Sequence, residues 1–251
     1  MTDGPRASAK LTAEIAAAIA AGAGRELGSG YQASVHLYRT SAGDVVVKQP
    51  HRGGALRALW RSLVRREHLV YERLHGIAGI PRSFGLVGDG LALEYVAGPS
   101  LRENEARLVD REAFFAKLLT TIEAMHAAGV AHGDLKRKNN LIVGSGEQPY
   151  LIDFGIAARR SARNGLFNRC VFARLKQMDL NAWVKLKYGR RIDPETERDV
   201  LSAEDAAIYR PLLIERLARA VRVPWQTITL RRPRQRWRAR RDGAANGDGE
   251  Q

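Results

Sequence analysis

Cysteine is nearly absent from the 251-residue chain, and so is any long apolar run. The single Cys170 excludes an internal disulfide and a metal site built from several cysteines. The alanine-rich segment 13–21 predicts a short helix, but it contains Glu14 and is shorter than the roughly 20 apolar residues that span a bilayer. It also lacks the profile of a signal peptide. These absences predict a cytoplasmic protein, and a peripheral place at the inner membrane stays open.

Acidic residues are scarce beside basic ones: 27 Asp and Glu accompany 41 Lys and Arg, a formal net charge of +14. Part of the excess lies in segment 231–241, which contains Trp237, and part lies around Trp60 at Arg57, Arg61, Arg65 and Arg66. Arginine beside tryptophan suits an anionic membrane surface, and it also suits the phosphates of RNA. A solvated tail without a partner explains the same pattern. We favour an anionic membrane surface as partner over nucleic acid.

The most informative segment is H-G-D-L-K-R-K-N at residues 132–139, followed after an apolar stretch by D-F-G at 153–155. Mg²⁺ prefers hard oxygen ligands, so Asn139 and Asp153 can hold it when nucleotide phosphates complete the coordination. Asp134 can accept or align the proton of an acceptor hydroxyl, and Lys136 can offset charge on the moving phosphoryl group. The spacing predicts phosphoryl transfer from Mg-ATP.

Asp and Gly also abound in turns, so either motif alone is compatible with an ordinary turn. Two apolar segments lie between the motifs, Leu141-Ile-Val143 and Tyr150-Leu-Ile152, and they predict a β-hairpin closed by residues 144–149. This order of loop, hairpin and second motif favours phosphoryl transfer over two unrelated turns.

A glycine-containing segment at residues 27–35 precedes an alternating apolar run and predicts a loop between two strands. Gly28 and Gly30 let backbone amides approach phosphates, although this spacing alone also fits a simple turn. Val45-Val-Val-Lys48 ends the next predicted strand. A lysine after three β-branched residues is expected to point into a cleft.

Apolar residues recur at helical spacing over residues 55–74 and predict a helix. Glu67 shares its inward face with Leu63 and Val70, which makes it the expected ion-pair partner of Lys48. Glu72 is the rival, but its spacing turns it away from that face. A solvated helix face would explain both carboxylates without an ion pair.

Residues 91–98, Leu-Ala-Leu-Glu-Tyr-Val-Ala-Gly, predict a strand that runs into a glycine-containing connection. Taken in order, G-x-G-x-x-A-x-V, V-V-V-K, the helix glutamate, L-E-Y-V-A-G, H-G-D-L-K-x-x-N and D-F-G resemble the protein-kinase-like superfamily over residues 27–158. The resemblance implies an α+β, two-lobed fold with a small β-rich N-lobe and an abbreviated helical C-lobe. It also implies ATP and Mg²⁺ as cofactors and a sugar or protein hydroxyl as acceptor.

The same resemblance implies a role for each motif residue. The ATP-binding residues are Gly28, Gly30, Val35, Lys48, Glu67, Glu94 and Val96. Glu94 and Val96 belong to the connection between the lobes, whose backbone groups can hydrogen-bond the adenine edge. The catalytic residues are Asp134 and Lys136, and the Mg²⁺ ligands are Asn139 and Asp153. Because these polar groups are all present, a pseudokinase that only binds partners is disfavoured.

Three departures from the common protein-kinase pattern narrow the type of kinase that this sequence resembles. Gly133 replaces an arginine that reads a phosphorylated activation loop in many regulated kinases, so such regulation is not expected. Ala33 replaces the third glycine and remains small. No A-P-E segment follows Asp153-Phe-Gly155, and fewer than 100 residues remain. This abbreviation resembles the RIO-like kinases and the bacterial kinases of lipopolysaccharide core sugars. The basic charge favours a lipopolysaccharide core sugar as acceptor, with a RIO-like serine/threonine protein kinase as the alternative.

The predicted organisation has four parts: an N-terminal extension or helix at 1–24, an N-lobe at 25–97, a C-lobe at 98–230 and a basic, flexible tail at 231–251. Asp179 lies in a helical pattern of the C-lobe. It resembles the buried aspartate that supports the catalytic loop in kinases, but a surface acid fits the pattern equally well.

Overall fold

The computed structural model describes residues 5–29, 33–50, 57–160, 165–189 and 201–210. Met1–Tyr209 is one compact unit, with an antiparallel sheet towards its N-terminus and a helical region after it. The predicted α+β fold, with a β-rich N-lobe and a helical C-lobe, is confirmed. The helices are α1 (Pro5–Ala20), α2 (Arg57–Arg73), α3 (Leu101–Asn104), α4 (Arg111–Ala127), α5 (Leu166–Lys187) and α6 (Ala203–Ile208). The strands are β1 (Arg25–Ser29), β2 (Ala33–Thr40), β3 (Gly43–Pro50), β4 (Ser83–Val87), β5 (Gly90–Glu94), β6 (Val130–Ala131), β7 (Leu141–Val143), β8 (Pro149–Leu151) and β9 (Ala158–Arg159).

The N-lobe is a five-stranded antiparallel sheet with the order β1-β2-β3-β5-β4. Its central strand β3 is rich in valine, which suits a sheet that is covered on both faces. Because side chains alternate along a strand, Val45 and Val47 are buried on one face while Val46 and Lys48 line a cavity on the other. Lys48 stands opposite Leu91 of β5. Lys48 lies two residues before the end of β3.

Helix α1 covers the sheet face opposite Lys48. Its residues Leu11 and Ile15 belong to one buried apolar cluster with Val45 and Val47. The helix begins at Pro5, well before the predicted segment 13–21. Proline is favoured in the first helical turn, where its missing N–H leaves no helical hydrogen bond unmade.

The C-lobe is built around α4, whose Phe114, Leu118, Ile122 and Met125 are almost completely buried. Their spacing of three and four residues places them on one side of the helix. Burying a side chain of this size contributes about 1.5–3 kcal/mol to folding. Helix α5 packs on α4, where the indole N–H of Trp183 donates to the backbone oxygen of Phe115 at 2.8 Å.

Strands β7 and β8 form the predicted hairpin between the two motifs, with Leu141 opposite Leu151 and Val143 opposite Pro149. The second strand starts and ends one residue earlier than predicted. Among the described residues, none of the helices combines the length and the apolar character that crossing a membrane requires. Gly30, the predicted C-lobe limit at residue 230 and the basic tail 231–251 lie outside the described residues.

Candidate active site

A cavity of about 990 Å³ lies between the sheet and the loop at residues 132–140, which we name the catalytic loop. The face of β3 that carries Lys48 forms one wall, and the catalytic loop and the start of the D-F-G motif form the other. The predicted site residues that line it are Gly28, Val35, Lys48, Glu67, Glu94, Val96, Asp134, Asn139 and Asp153. Chain segments far apart in sequence therefore converge on one cleft.

The Lys48 ammonium joins two carboxylates in this cleft. Its Nζ lies 2.8 Å from Glu67 Oε2 and 2.8 Å from Asp153 Oδ1. The predicted ion pair with Glu67 is thus present, whereas Glu72 is half exposed and lies 3.7 Å from the ring of His68. The two partners of Lys48 differ in burial: the Glu67 side chain is 3% exposed and that of Asp153 is 47% exposed.

The pKa values of Lys48, Glu67 and Asp153 depend on their burial and on the charges of their neighbours in this cleft. Burial opposes the charge on Lys48, but the carboxylates of Glu67 and Asp153 outweigh it and raise the pKa of Lys48. Burial is the larger influence on Glu67 and raises its pKa in spite of Lys48. Burial also acts on Asp153, yet the Lys48 ammonium and its hydrogen bond lower the pKa of Asp153. At neutral pH the cleft therefore presents a charged lysine and an ionised, solvent-facing Asp153.

The backbone of Asp153 turns its carboxylate towards the cavity. Its φ of +66° lies in the left-handed region, which aspartate adopts more readily than most residues. The next residue, Phe154, is buried, and its ring packs edge-on against Tyr71 of α2 at a centroid distance of 5.0 Å. The Phe154 ring also lies near the ring of His132, at a centroid distance of 4.8 Å. These contacts hold Asp153 between α2 and the catalytic loop.

Asp179 of α5 supports the catalytic loop through hydrogen bonds to its backbone. It is 1% exposed and accepts backbone hydrogen bonds from His132 at 2.7 Å and from Gly133 at 2.8 Å. His126 Nε2 lies 3.1 Å from the same carboxylate. The sequence was compatible with Asp179 either as a buried support of the loop or as a surface acid. The structure shows the buried support. Gly133 has a φ of +81°, a conformation in which glycine avoids the strain that other residues incur.

Asp134 is part of the catalytic loop and lines the cavity. Its backbone oxygen accepts a hydrogen bond from Asn140 Nδ2 at 3.2 Å, and Asn140 is buried. Its carboxylate Oδ2 lies 2.9 Å from Arg137 Nε. The Arg137 side chain is 68% exposed and also lines the cavity. Neither Asn140 nor Arg137 was among the residues predicted from the motif spacing.

Lys136 occupies a different position from the one expected. It is exposed, and the described cavity lining contains Arg137 in its place. The preceding Leu135 is 2% exposed, whereas Lys136 is exposed. The structure thus brings Arg137, rather than Lys136, to the carboxylate of Asp134.

Asn139 and Asp153 are the residues that could hold Mg²⁺ with nucleotide phosphates. Both line the cavity, and Asp153 is ionised and exposed on its cavity side. Their amide and carboxylate oxygens are the donors that Mg²⁺ prefers. Within the described ranges, no group of three or more His, Cys, Asp and Glu forms a protein-only metal site. This pair fits a metal that phosphates help to bind.

Comparison with known proteins agrees with this geometry. The protein kinase domain matches residues 23–174, more than half of the chain. The chain belongs to the protein kinase domain family. The matched residues of this kinase domain include every predicted site residue and end within α5, before Asp179.

Several curated proteins are similar to this kinase domain. The serine/threonine-protein kinase AfsK of Streptomyces griseus is 33% identical over 53% of this chain and 17% of its own length. CBL-interacting protein kinase 31 of Oryza sativa is 30% identical over 54% of this chain and 32% of its length. The EKC/KEOPS complex subunit BUD32 of Encephalitozoon cuniculi is 27% identical over 52% of this chain and 68% of its length. The chain thus spans about a third or less of the first two relatives.

Proposed function

We propose that this protein transfers the γ-phosphoryl group of Mg-ATP to an acceptor hydroxyl. The observation that supports this most is the Lys48 ammonium, 2.8 Å from both Glu67 and Asp153, in a cavity that Asp134 and Asn139 also line. Phosphoryl transfer requires positioning and charge stabilisation more than covalent catalysis. This group supplies a fixed cation, an anionic metal ligand and a carboxylate for the acceptor.

The N-lobe residues hold the nucleotide in this proposal. Backbone amides near Gly28 face the phosphates, a role that the sequence also predicts for Gly30, and Val35 packs against the base. The backbone of Glu94 and Val96 bonds the adenine edge. The Glu94 side chain is already engaged, because its Oε2 accepts from the Arg82 backbone N–H at 2.9 Å.

Lys48 binds the α- and β-phosphates, and Glu67 keeps it extended towards them. Asn139 and Asp153 would hold Mg²⁺, which neutralises charge on the phosphates. The pKa of Asp153 is lowered, so its carboxyl group is already deprotonated at neutral pH and can bind the metal directly.

Asp134 orients the acceptor hydroxyl. The hydroxyl oxygen forms a bond to the γ-phosphorus as the bond from phosphorus to the bridging oxygen of ADP breaks. The hydroxyl proton passes to Asp134 or, through it, to solvent. Arg137 forms an ion pair with the Asp134 carboxylate. When the acceptor enters, Arg137 must move away or share this carboxylate with the acceptor hydroxyl. Lys136, predicted to offset phosphoryl charge, is exposed and is not among the described residues that line the cavity.

For the acceptor, we propose the hydroxyl of a serine or threonine in a protein. The support comes from the relatives: AfsK is named a serine/threonine-protein kinase. A lipopolysaccharide core sugar, the acceptor that the basic charge favoured, is the second candidate and is tested beside it. The peripheral location at an anionic membrane and the weaker possibility of nucleic-acid binding rest on the arginine-rich segments of the sequence alone.

The test is to incubate the purified full chain with labelled ATP and Mg²⁺ and to offer protein extract, or lipopolysaccharide of defined core, as acceptor. We expect label on serine or threonine of protein, and loss of labelling in Asp134→Ala. Label on the core sugar alone would select the second acceptor. Failure of both, with no ATP consumption, would reject the phosphotransferase proposal.

A further inference from the structure

Arg66 precedes Glu67 on α2 and reaches across to the chain that follows the D-F-G motif. Its Nη2 donates to the backbone oxygen of Ala157 at 2.8 Å. Ala157 is completely buried, and its own N–H donates to the oxygen of Phe154 at 3.0 Å. The guanidinium therefore holds the tight turn that ends the D-F-G motif.

Adjacent turns of α2 contact the same short segment. The backbone N–H of Phe154 hydrogen-bonds Glu67, and the Tyr71 ring packs on the Phe154 ring. Arg66, Glu67 and Tyr71 thus bind residues 154–157 from one helix face and its edge. A shift of α2 that carried Glu67 away from Lys48 would break all of these contacts together.

A second arginine fixes the far end of α2. Arg73 Nε donates to the oxygen of Ala128 at 2.5 Å, and its Nη1 donates to the oxygen of Arg160 at 2.9 Å. These acceptors lie just after α4 and just after β9. Arg66 and Arg73 therefore bracket the turn of α2 that carries Glu67.

The acceptors of both arginines are main-chain carbonyls. A carbonyl is present whatever the phosphorylation state of the chain, whereas a phosphate would have to be added first. The position before Asp134, where an arginine would read such a phosphate, is Gly133. The contacts that place α2 are consequently built into the described fold.

We propose that Arg66 is a positioning residue for the transfer reaction: its hydrogen bond to Ala157 fixes α2 so that Glu67 stays on Lys48. Arg66 is not among the described residues that line the cavity, and it acts through Glu67. The inference deepens the proposed phosphotransferase function and rests on it. Arg73 secures the same helix but lies farther from Lys48, so Arg66 carries the larger effect on the pair.

The test compares Arg66→Met with Arg65→Met in the full chain. Methionine removes the donors and keeps much of the side-chain length, while Arg65 is an exposed neighbour on the same helix and serves as the matched control. We expect Arg66→Met to lower kcat about tenfold, the loss expected when one hydrogen bond from a charged donor is removed. Arg65→Met should leave kcat unchanged, and Arg66→Lys should recover part of the loss.

Two further measurements separate positioning from general destabilisation. In a Glu67→Gln background, Arg66→Met should have little further effect on kcat, because the pair that it positions is already gone. Without ATP, hydrogen exchange in α2 and in residues 154–159 should rise in Arg66→Met and not in Arg65→Met. Independent losses in the double variant, or exchange equal to that of the control, would overturn the inference. The exchange result decides this even if the wild-type chain transfers no phosphate.

Discussion

Asp179 Oδ1 accepts a hydrogen bond from the backbone N–H of Gly133 at 2.8 Å, in a site that excludes water. Its second oxygen, Oδ2, accepts from the backbone N–H of His132. One buried carboxylate on α5 thus satisfies two amides of the catalytic loop immediately before Asp134. The loop conformation depends on that side chain because His132 and Gly133 are buried there.

The first prediction is that Asp179→Asn loses both stability and activity. The new NH₂ group would face a backbone donor, and leaving a buried polar group unsatisfied costs about 1–3 kcal/mol. Urea unfolding measures this loss, and kcat should fall as the loop loosens. Glu123→Gln, an exposed substitution on α4, is the control and should change neither quantity. Equal stability of Asp179→Asn and the wild-type protein would contradict the supporting role.

The second prediction concerns Lys48 and Glu67, whose charged atoms lie 2.8 Å apart. Lys48→Met and Glu67→Gln should each lower kcat, and the double variant should be little worse than the Lys48 variant because the residues act as one unit. Glu72→Gln is the matched control, since Glu72 lies on the same helix and turns away. Additive losses in the cycle, or coupling of Lys48 to Glu72, would show that the pair is not the functional one.

The ion pair and the hairpin β7–β8 were predictable because each depends on local periodicity. A spacing of three or four residues puts Glu67 on the face of Leu63 and Val70, and two short apolar runs flank the turn at 144–149. Lys48 was expected to point into a cleft because it follows three β-branched residues at the end of a predicted strand. These patterns are properties of neighbouring residues, so one sequence reveals them.

Other features depend on contacts between distant segments, and periodicity carries no signal for them. The packing of α1 on the sheet joins Ile15 to Val47, and the hydrogen bond of Arg66 to Ala157 joins a side chain to a carbonyl. Lys136 was predicted from its motif position to offset phosphoryl charge, whereas the ion pair of Arg137 with Asp134 was not predicted. A sequence gives residue types at these sites but not the direction of their side chains.

The third prediction separates Arg137 from Lys136. Arg137→Gln should lower the KM for the acceptor a few-fold, because the ion pair of Arg137 with the Asp134 carboxylate must open or be shared when the acceptor enters. The effect is small because a largely exposed ion pair contributes about 1 kcal/mol or less. Lys136→Gln should change the rate less, since Lys136 is exposed and is not among the described residues that line the cavity. A large loss of kcat in Lys136→Gln would restore the phosphoryl-facing role expected from the sequence.

The fourth prediction concerns the pH dependence of stability at Asp205 of α6. Burial raises its pKa, but hydrogen bonds from Tyr188 at 2.6 Å and from Lys187 at 2.9 Å, with Ser202, outweigh burial and lower it. A carboxyl group with a lowered folded pKa stabilises the fold above its unfolded pKa, and this contribution is lost as pH falls through the folded pKa.

Asp205→Asn should therefore reduce the free energy of unfolding at about pH 7, and its deficit should shrink as pH falls below the ordinary aspartate pKa of about 4. Unfolding in urea at a series of pH values measures the difference between the two proteins. A deficit that stays constant or grows in acid would mean that the charge of Asp205 does not stabilise the fold.

The proposed transfer of a phosphoryl group from Mg-ATP requires Asp134 to orient the acceptor hydroxyl. Single-turnover transfer by the wild-type protein and by Asp134→Ala tests this most directly. Asp134 acts on the acceptor side of the cavity, so the variant should bind Mg-ATP within a few-fold of wild type and lose most transfer, by about a hundredfold or more. Calorimetric titration with Mg-ATP and label transfer measured on the same samples give both quantities. Wild-type transfer rates in Asp134→Ala, with nucleotide affinity unchanged, would contradict the account.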